Sequence, residues 1–418
     1  MPSFTVAENI LLGIEPQTWN FLKPREEERI VLDLSATYNL PVDPQARVGD
    51  LSVGMQQRVE ILKTLQRDAD ILLLDEPTAV LTPQESEELF TVLRSLTEKG
   101  RTIILITHKL PEVMAVADRV TVMRKGEVVA SMPVSETTIP QLACHMVGRN
   151  VVLQVEKEPG NPGEIIAEVK DLVVPGTGGT QGVAGVSLCV RRGEIVGIAG
   201  VSGNGQRELC DAIFGILKAA VGSIYISGKE VTTTAVKKRR CQGIAHIPED
   251  RMDTGLNLHT TLDENVVATS IRKPVYSRLG ILKQRAISRF AETVVRDFSI
   301  ASASPGEGIS TLSGGNLQKI VLGRELTGNP SFILANQPTR GLDVGSIEFV
   351  HKKLVEARDH GAGILLISVE LEEILSLSDR ILVMYNGKIV GELTAAEATD
   401  KKLGILMAGG TIQESEDR

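Results

Sequence analysis

The feature that most constrains this 418-residue chain is that it repeats itself. LSVGMQQR (51–58) returns as LSGGNLQK (312–319), LLLDEPTAVL (72–81) as ILANQPTRGL (333–342), and ADRVTVMRKGEVV (117–129) as SDRILVMYNGKIV (378–390). All three pairs share one offset, 261 residues, read from 52 and 313, 118 and 379, and 126 and 387. TVAEN (5–9) aligns with TLDEN (261–265) at offset 256, so the second copy carries five extra residues in between. Internal self-similarity fixes the organisation before any single element is considered. The second copy begins near Glu168, whereas position 1 aligns with 257. The first copy is therefore expected to lack about 89 residues (257 − 168), its whole opening section.

Within each copy, short β-rich apolar runs alternate with helical stretches. Segments 71–74, 102–106 and 120–123 read as buried strands, with helices over 83–99 and 111–117 between them. Such alternation predicts α/β units with mainly parallel sheets. The expected domains are 1–148 and 166–409. A polar, Pro/Gly-containing linker (149–165) joins them and a polar tail (410–418) follows. No apolar run approaches the ~18 residues that cross a bilayer, and MPSFTVAENILLG has no signal-peptide pattern.

Three segments carry chemistry. The first is VRRGEIVGIAGVSGNGQREL, a strand, a tight glycine turn and a helix start at Gln206. Gly200 and Gly205 stand at the glycine positions of a GxxxxGK[ST] phosphate loop. Gln206 replaces its Lys and Arg207 its Ser/Thr. Backbone amides over Gly200, Ser202, Gly203, Asn204 and Gly205 still suit an anion at a helix N-terminus. Alone, the loop also fits a Rossmann variant or an ordinary tight turn. The second segment is LSGGNLQ, in which Ser313 is a good N-cap. Gly314 and Gly315 permit close backbone approach, and Gln318 lies one turn on. A plain capped helix is the competing reading. The third is an apolar strand ending in Asp75 and Glu76, followed 32 residues later by His108 after a second strand. Asp75 is placed to hold Mg²⁺, and Glu76 to take a proton from water. Surface carboxylates at a strand end are the alternative.

Composition trims the function classes. A net charge of −8 and only 3 % aromatic residues argue against broad nucleic-acid binding and a base-stacking platform, so no nucleic-acid partner is expected. Cys144, Cys189, Cys210 and Cys241 form no CxxC or Cys/His pair, and read as buried, reduced thiols of a cytoplasmic protein.

Taken together, these segments resemble the ATP-binding subunits of ABC transporters, over essentially the whole chain. LSGGNLQ is similar to that family's signature, LLLDEP to its Walker B motif, THKL (107–110) to its H-loop, and AVLT (79–82) and RGLD (340–343) to its D-loops. PTRGLDVGS (338–346) and IPEDR (247–251) resemble the fused two-cassette ATPases of bacterial importers for simple sugars and nucleosides, and ANQP (335–338) the nucleoside branch. The resemblance implies two tandem P-loop cassettes, the first without its P-loop section. It also implies ATP and Mg²⁺ as cofactors. The implied partners are membrane permease subunits and an extracytoplasmic solute-binding protein acting through them. The implied location is peripheral, on the cytoplasmic face of the cell membrane.

In that family, each ATP lies between the Walker motifs of one cassette and the signature of the other. One implied site joins Asp75, Glu76 and His108 as metal ligand, base and γ-phosphate contact to Ser313, Gly314, Gly315 and Gln318. The other joins the loop at Gly200–Arg207 to Ser52 and Gly54. It is degenerate, with Asn336 and Gln337 replacing the carboxylates, Val369 at the histidine position and Val53 in the facing signature. The usual adenine-stacking aromatic is not evident before the glycine loop. The degenerate site is expected to hold nucleotide without hydrolysing it. The chain alone is expected to be inactive, with another polypeptide supplying the missing P-loop. The alternative is a non-catalytic regulator or remnant. A tandem-cassette translation factor would carry a charged helical linker, and a DNA-repair relative would carry zinc cysteines or a long coiled coil.

Overall fold

The computed structural model describes the whole chain except residues 19–20, 39, 52, 68, 79–82, 125, 150–156, 177–181, 202, 302–305 and 411–418, and the side chains of 18, 53–54 and 83–85. Two compact units result, Met1–Val151 and Val152–Arg418.

In the first unit, β1 (Gln17–Thr18) and β2 (Phe21–Leu22) form a small antiparallel hairpin. β3 (Ile71–Asp75) and β4 (Thr102–Ile106) pair in parallel, and β5 (Arg119–Arg124) and β6 (Glu127–Pro133) antiparallel. Helices Val53–Leu65 and Pro83–Glu98 lie in the sequence around β3. Their apolar residues gather with Val6, Ile10 and Leu72 into one core, in which Leu62, Leu65, Leu93 and Leu96 are at most 2 % exposed.

The second unit has two sheets. β7 (Ile165–Val174), β8 (Val183–Arg191), β10 (Val221–Ile226) and β11 (Lys229–Glu230) make an antiparallel sheet in the order β11-β10-β7-β8. β9 (Ile195–Ala199), β12 (Ile244–Ile247), β15 (Phe332–Asn336), β16 (Gly363–Ser368), β17 (Arg380–Tyr385) and β18 (Lys388–Thr394) make a six-stranded sheet in the order β12-β15-β16-β9-β17-β18. It is parallel except for β18. A further hairpin joins β13 (Ser277–Arg278) to β14 (Ile281–Leu282). The four-stranded antiparallel sheet corrects the mainly parallel expectation. The parallel strands are buried on both faces, as continuous apolar runs require. β7, β8 and β10 mix buried and exposed positions, as a sheet with one open face does.

One comparison between the units follows from the 261-residue offset. Phe332, Leu334, Leu365 and Ile367 are at most 2 % exposed, under a layer made by β7, β8, β10 and helix Gln206–Phe214. Their counterparts Ile71, Leu73, Ile104 and Ile106 are 58 %, 70 %, 47 % and 54 % exposed. No covering layer of this kind stands among the described residues of the first unit.

Repetition extends to local chemistry. Each copy opens a helix at a threonine. The Thr5 hydroxyl accepts from Glu8 N–H at 3.2 Å and the Glu8 carboxylate accepts from Thr5 N–H at 2.8 Å, a reciprocal cap. In the second copy Thr261 N–H likewise donates to the Glu264 carboxylate at 3.0 Å, but Glu264 N–H donates to Asp263 Oδ1 at 2.9 Å. The end of the expected linker belongs to the second unit. Lys157 Nζ donates to the carbonyls of Leu377 and Ser378 at 2.6 and 2.8 Å, and Arg358 Nη2 to Glu158 O at 2.9 Å, so from residue 157 the chain is already fastened to the second unit. The thiols also differ from expectation. Cys210 is buried, Cys144 and Cys189 are partly so, and Cys241 is exposed.

Candidate nucleotide-handling site

Asp75 ends β3 with an exposed side chain, and the next residue, Glu76, turns into the left-handed region at φ +43°. Its N–H donates to Ile106 O at 2.8 Å, the carbonyl closing the neighbouring strand. Two residues past that strand, His108 brings Nδ1 to 2.9 Å from Glu76 Oε1. The sequence placed both residues in one site but gave no reason for this direct contact. It follows from β3 and β4 ending side by side.

A buried brace fixes the pair. The Thr78 hydroxyl donates to Glu112 Oε1, and the Thr107 hydroxyl to Glu112 Oε2 at 3.1 Å. Thr78 lies two residues after Glu76 and Thr107 immediately before His108, so one carboxylate ties both approaches. Thr78 and Glu112 are 1 % and 9 % exposed. The sequence reading missed Glu112, although the repeat signals it. Thr339 and Glu373, their counterparts at offset 261, form the same bond at 2.9 Å, with His351 Nε2 joining Glu373 at 3.0 Å.

The second unit keeps this frame and changes the chemistry. Gln337 has φ +48°, and its N–H donates to Ile367 O at 2.7 Å, matching Glu76. A non-glycine residue held there costs about 1–3 kcal/mol, so the turn has outlived the carboxylate. Asn336 is 4 % exposed and Val369 stands where His108 would. This pair of amides offers a divalent cation no charge, so the residues do not fit Mg²⁺. Exposed Asp75 fits it as a single carboxylate completed by water and phosphate oxygens, the usual magnesium arrangement. Among the described residues, no cluster of three or more His, Cys, Asp or Glu could hold a metal by itself.

The glycine loop of the second unit leads from β9 into helix Gln206–Phe214. Gly203 and Gly205 take φ +91° and +99°, conformations that favour glycine. Asn204 braces the loop. Its Oδ1 accepts from Asn386 N–H at 3.0 Å and its carbonyl from Gly387 N–H at 3.0 Å. Gln206 turns inward, 7 % exposed, and its Nε2 donates to Val201 O at 3.1 Å. A Cβ on Gly200 would strike that amide, so the Gln206 side chain lies across the floor of the loop. Arg207 points outward, 3.8 Å from Asp211. Ser202 lies outside the described residues.

Helix Gly314–Leu326 starts at Ser313, but the expected cap is not made. The Ser313 hydroxyl accepts from Asn316 Nδ2 at 3.0 Å instead of from a backbone amide. Gly314 lies against the Arg251 guanidinium, which donates to the carbonyls of Arg340 and Gly341 at 2.7 and 3.3 Å. Gly315 faces Ser346 and Asp343 so closely that no Cβ fits. Gln318, expected to meet a nucleotide, is a correction. It is 2 % exposed and donates Nε2 to Pro338 O at 2.7 Å, so it holds the segment after β15 and does not face a ligand. In the first unit the matching helix is Val53–Leu65, which includes Gly54; Ser52 and residues 79–82 lie outside the described residues.

Comparison with known proteins agrees with this geometry. A family model described as ABC transporter matches residues 1–79 and 183–340. The chain is 46 % identical over 412 residues to the nucleoside import ATP-binding protein NupA of Lactococcus lactis, covering 99 % of this chain and 81 % of that one. It is 46 % identical over 413 residues to the guanosine import ATP-binding protein NupO of Bacillus subtilis, with the same coverages. Identity to the ribose import ATP-binding protein RbsA of Caldanaerobacter subterraneus is 38 % over 417 residues, 98 % of this chain and 82 % of the other. Since the matched segments contain the glycine loop, the helix at Gly314 and both strand ends at Asp75 and Asn336, the chain belongs to the ABC transporter family, among its ATP-binding, ATP-hydrolysing subunits.

Proposed function

We propose that this chain couples ATP to the import of nucleosides through membrane permease subunits. A solute-binding protein would deliver the solute, and the chain would lie peripherally on the cytoplasmic face of the membrane. The higher identity to the two nucleoside-type relatives than to the ribose-type one supports the solute class. Among the described residues, no helix is long and apolar enough to cross a membrane.

The observation that carries the mechanism is the 2.9 Å contact between Glu76 and His108 beside exposed Asp75. Mg²⁺, when bound, supplies charge neutralisation on the phosphates, with Asp75 as its carboxylate. Glu76 accepts the proton of the attacking water. His108 orients Glu76 by donating Nδ1–H to it, and with both ring nitrogens protonated it can also donate Nε2–H to a phosphate oxygen. Glu112 keeps the two in register. No glycine loop stands in residues 1–151, so the amides that cradle phosphate beside this pair come from other residues or another polypeptide. Ser313, Gly314 and Gly315 offer a helix N-terminus to an anion.

The second unit's loop holds nucleotide and does not hydrolyse it. It has no carboxylate at 336 or 337, no histidine at 369 and no hydroxyl at 207. Losing a general base costs about 10²–10⁴ in rate, and losing one further electrostatic donor about 10²–10³.

Glu76→Gln, assembled with the permease, tests this reading. Hydrolysis should fall by about 10²–10⁴ while nucleotide binding persists. Unchanged turnover would assign the proton transfer to another residue.

A further inference from the structure

We propose that the β13–β14 hairpin of the second unit is a lipid-contacting element that docks on an anionic bilayer surface. The inference stands apart from the reading of the nucleotide-handling residues.

The hairpin turns through two residues, Leu279 and Gly280, with φ +50° and +84°. Such a turn is ordinarily built from Asn-Gly or Asp-Gly, whose residues tolerate positive φ. Here a leucine occupies the strained position and is 96 % exposed. Ile281 and Leu282 behind it are 73 % and 49 % exposed, and Val275 is 53 % exposed. An apolar side chain held outward at a strained tip has no folding benefit to account for it.

Charge identifies the occupant. In a chain of net charge −8, residues 265–291 contain Arg272, Lys273, Arg278, Lys283, Arg285 and Arg289 and not one acidic residue. All six are exposed, and none forms an ion pair among the described residues. Exposed apolar side chains flanked in sequence by exposed basic ones suit the headgroup boundary of an anionic membrane. The hairpin is also firmly mounted. Lys283 N–H donates to Tyr276 O at 2.8 Å, Lys283 Nζ donates to Pro274 O at 2.8 Å, and the Tyr276 ring packs on Phe290 with centroids 5.3 Å apart.

The repeat provides a built-in control. The first unit's hairpin also exposes Phe21 and Leu22, at 77 % and 61 %. Its surroundings, residues 9–30, hold Lys23, Arg25 and Arg29 against Glu15, Glu26, Glu27 and Glu28. Exposed apolar strand residues recur without the positive charge, so anionic binding belongs to the second hairpin alone.

The test is flotation of the full chain with vesicles of pure phosphatidylcholine, and with vesicles one-third phosphatidylglycerol. The chain should float with the anionic vesicles only, and salt should release it. Leu279→Asn, which suits the left-handed turn and so preserves the fold, should weaken binding at least about fivefold while the melting temperature stays the same or rises. Arg278→Gln with Lys283→Gln should weaken it at least about tenfold. Phe21→Ser should leave it unchanged. Equal binding to both vesicle types, no binding to either, or full binding by the Leu279→Asn variant would overturn the proposal. Binding only to vesicles that also carry the permease would overturn it too, by assigning the surface to a protein partner.

Discussion

Glu76 and Gln337 share one strained backbone turn and one backbone hydrogen bond, yet only Glu76 can take a proton. On the proposed mechanism, a single side-chain charge in an unaltered frame separates the two positions. His246 shows the opposite case, a titratable side chain used for packing. It is 8 % exposed, stacked on Phe214 with ring centroids 4.3 Å apart, with Nε2 3.6 Å from Cys210 Sγ. Burial above all lowers its pKa, Glu325 opposes that, and nearby Arg240 and Arg324 add to it, for a net value of about 4. For Glu325 itself, burial pushes the carboxyl up, but Arg324 and Arg240 outweigh that and hold it below its ordinary value. A histidine with a depressed folded pKa takes up its proton more readily when unfolded. The second unit should therefore lose stability as pH falls from about 6.5 to 4, by about 3 kcal/mol in all. His246→Phe should flatten that part of a melting-temperature-against-pH curve.

At the scale of elements, the strands ending in Asp75 and Asn336 and the helices that follow them were legible because the repeat states each of them twice, and the helix start at Gln206 because a glycine turn precedes it. The antiparallel sheet was not legible. β7, β8 and β10 lie almost wholly in the part of the second copy that has no counterpart in the first, so nothing marked their pairing. Gln318 was misplaced for a related reason. Its motif fixes it on the helix that begins at Gly314, but only packing shows its amide turned to Pro338 O. Glu112 was within reach and overlooked, since Thr78 and Glu112 both recur at offset 261 as Thr339 and Glu373. The same helix yields a prediction. A Cβ at Gly315 would collide with Ser346, whose hydroxyl donates to Asp343 Oδ2 at 2.8 Å. Gly315→Ala should therefore cost about 1–3 kcal/mol through overpacking, read as a lowered melting temperature of the second unit. Gly314→Ala meets only the far end of the long Arg251 side chain and should cost less.

For the whole molecule, the two units are unequal in complementary ways. The first has the carboxylates and histidine suited to hydrolysis, on a sheet whose one apolar face is exposed. The second has a closed core and a braced glycine loop, with amides where the carboxylates would stand. On the proposed reading, the second unit retains nucleotide while the chemistry of cleavage belongs to residues of the first. The most direct test is to incubate the purified chain with ATP and Mg²⁺, remove the free nucleotide, and identify and count what remains bound. The account predicts one nucleotide per chain, recovered intact as ATP. Recovery of ADP, or of no nucleotide at all, would contradict it.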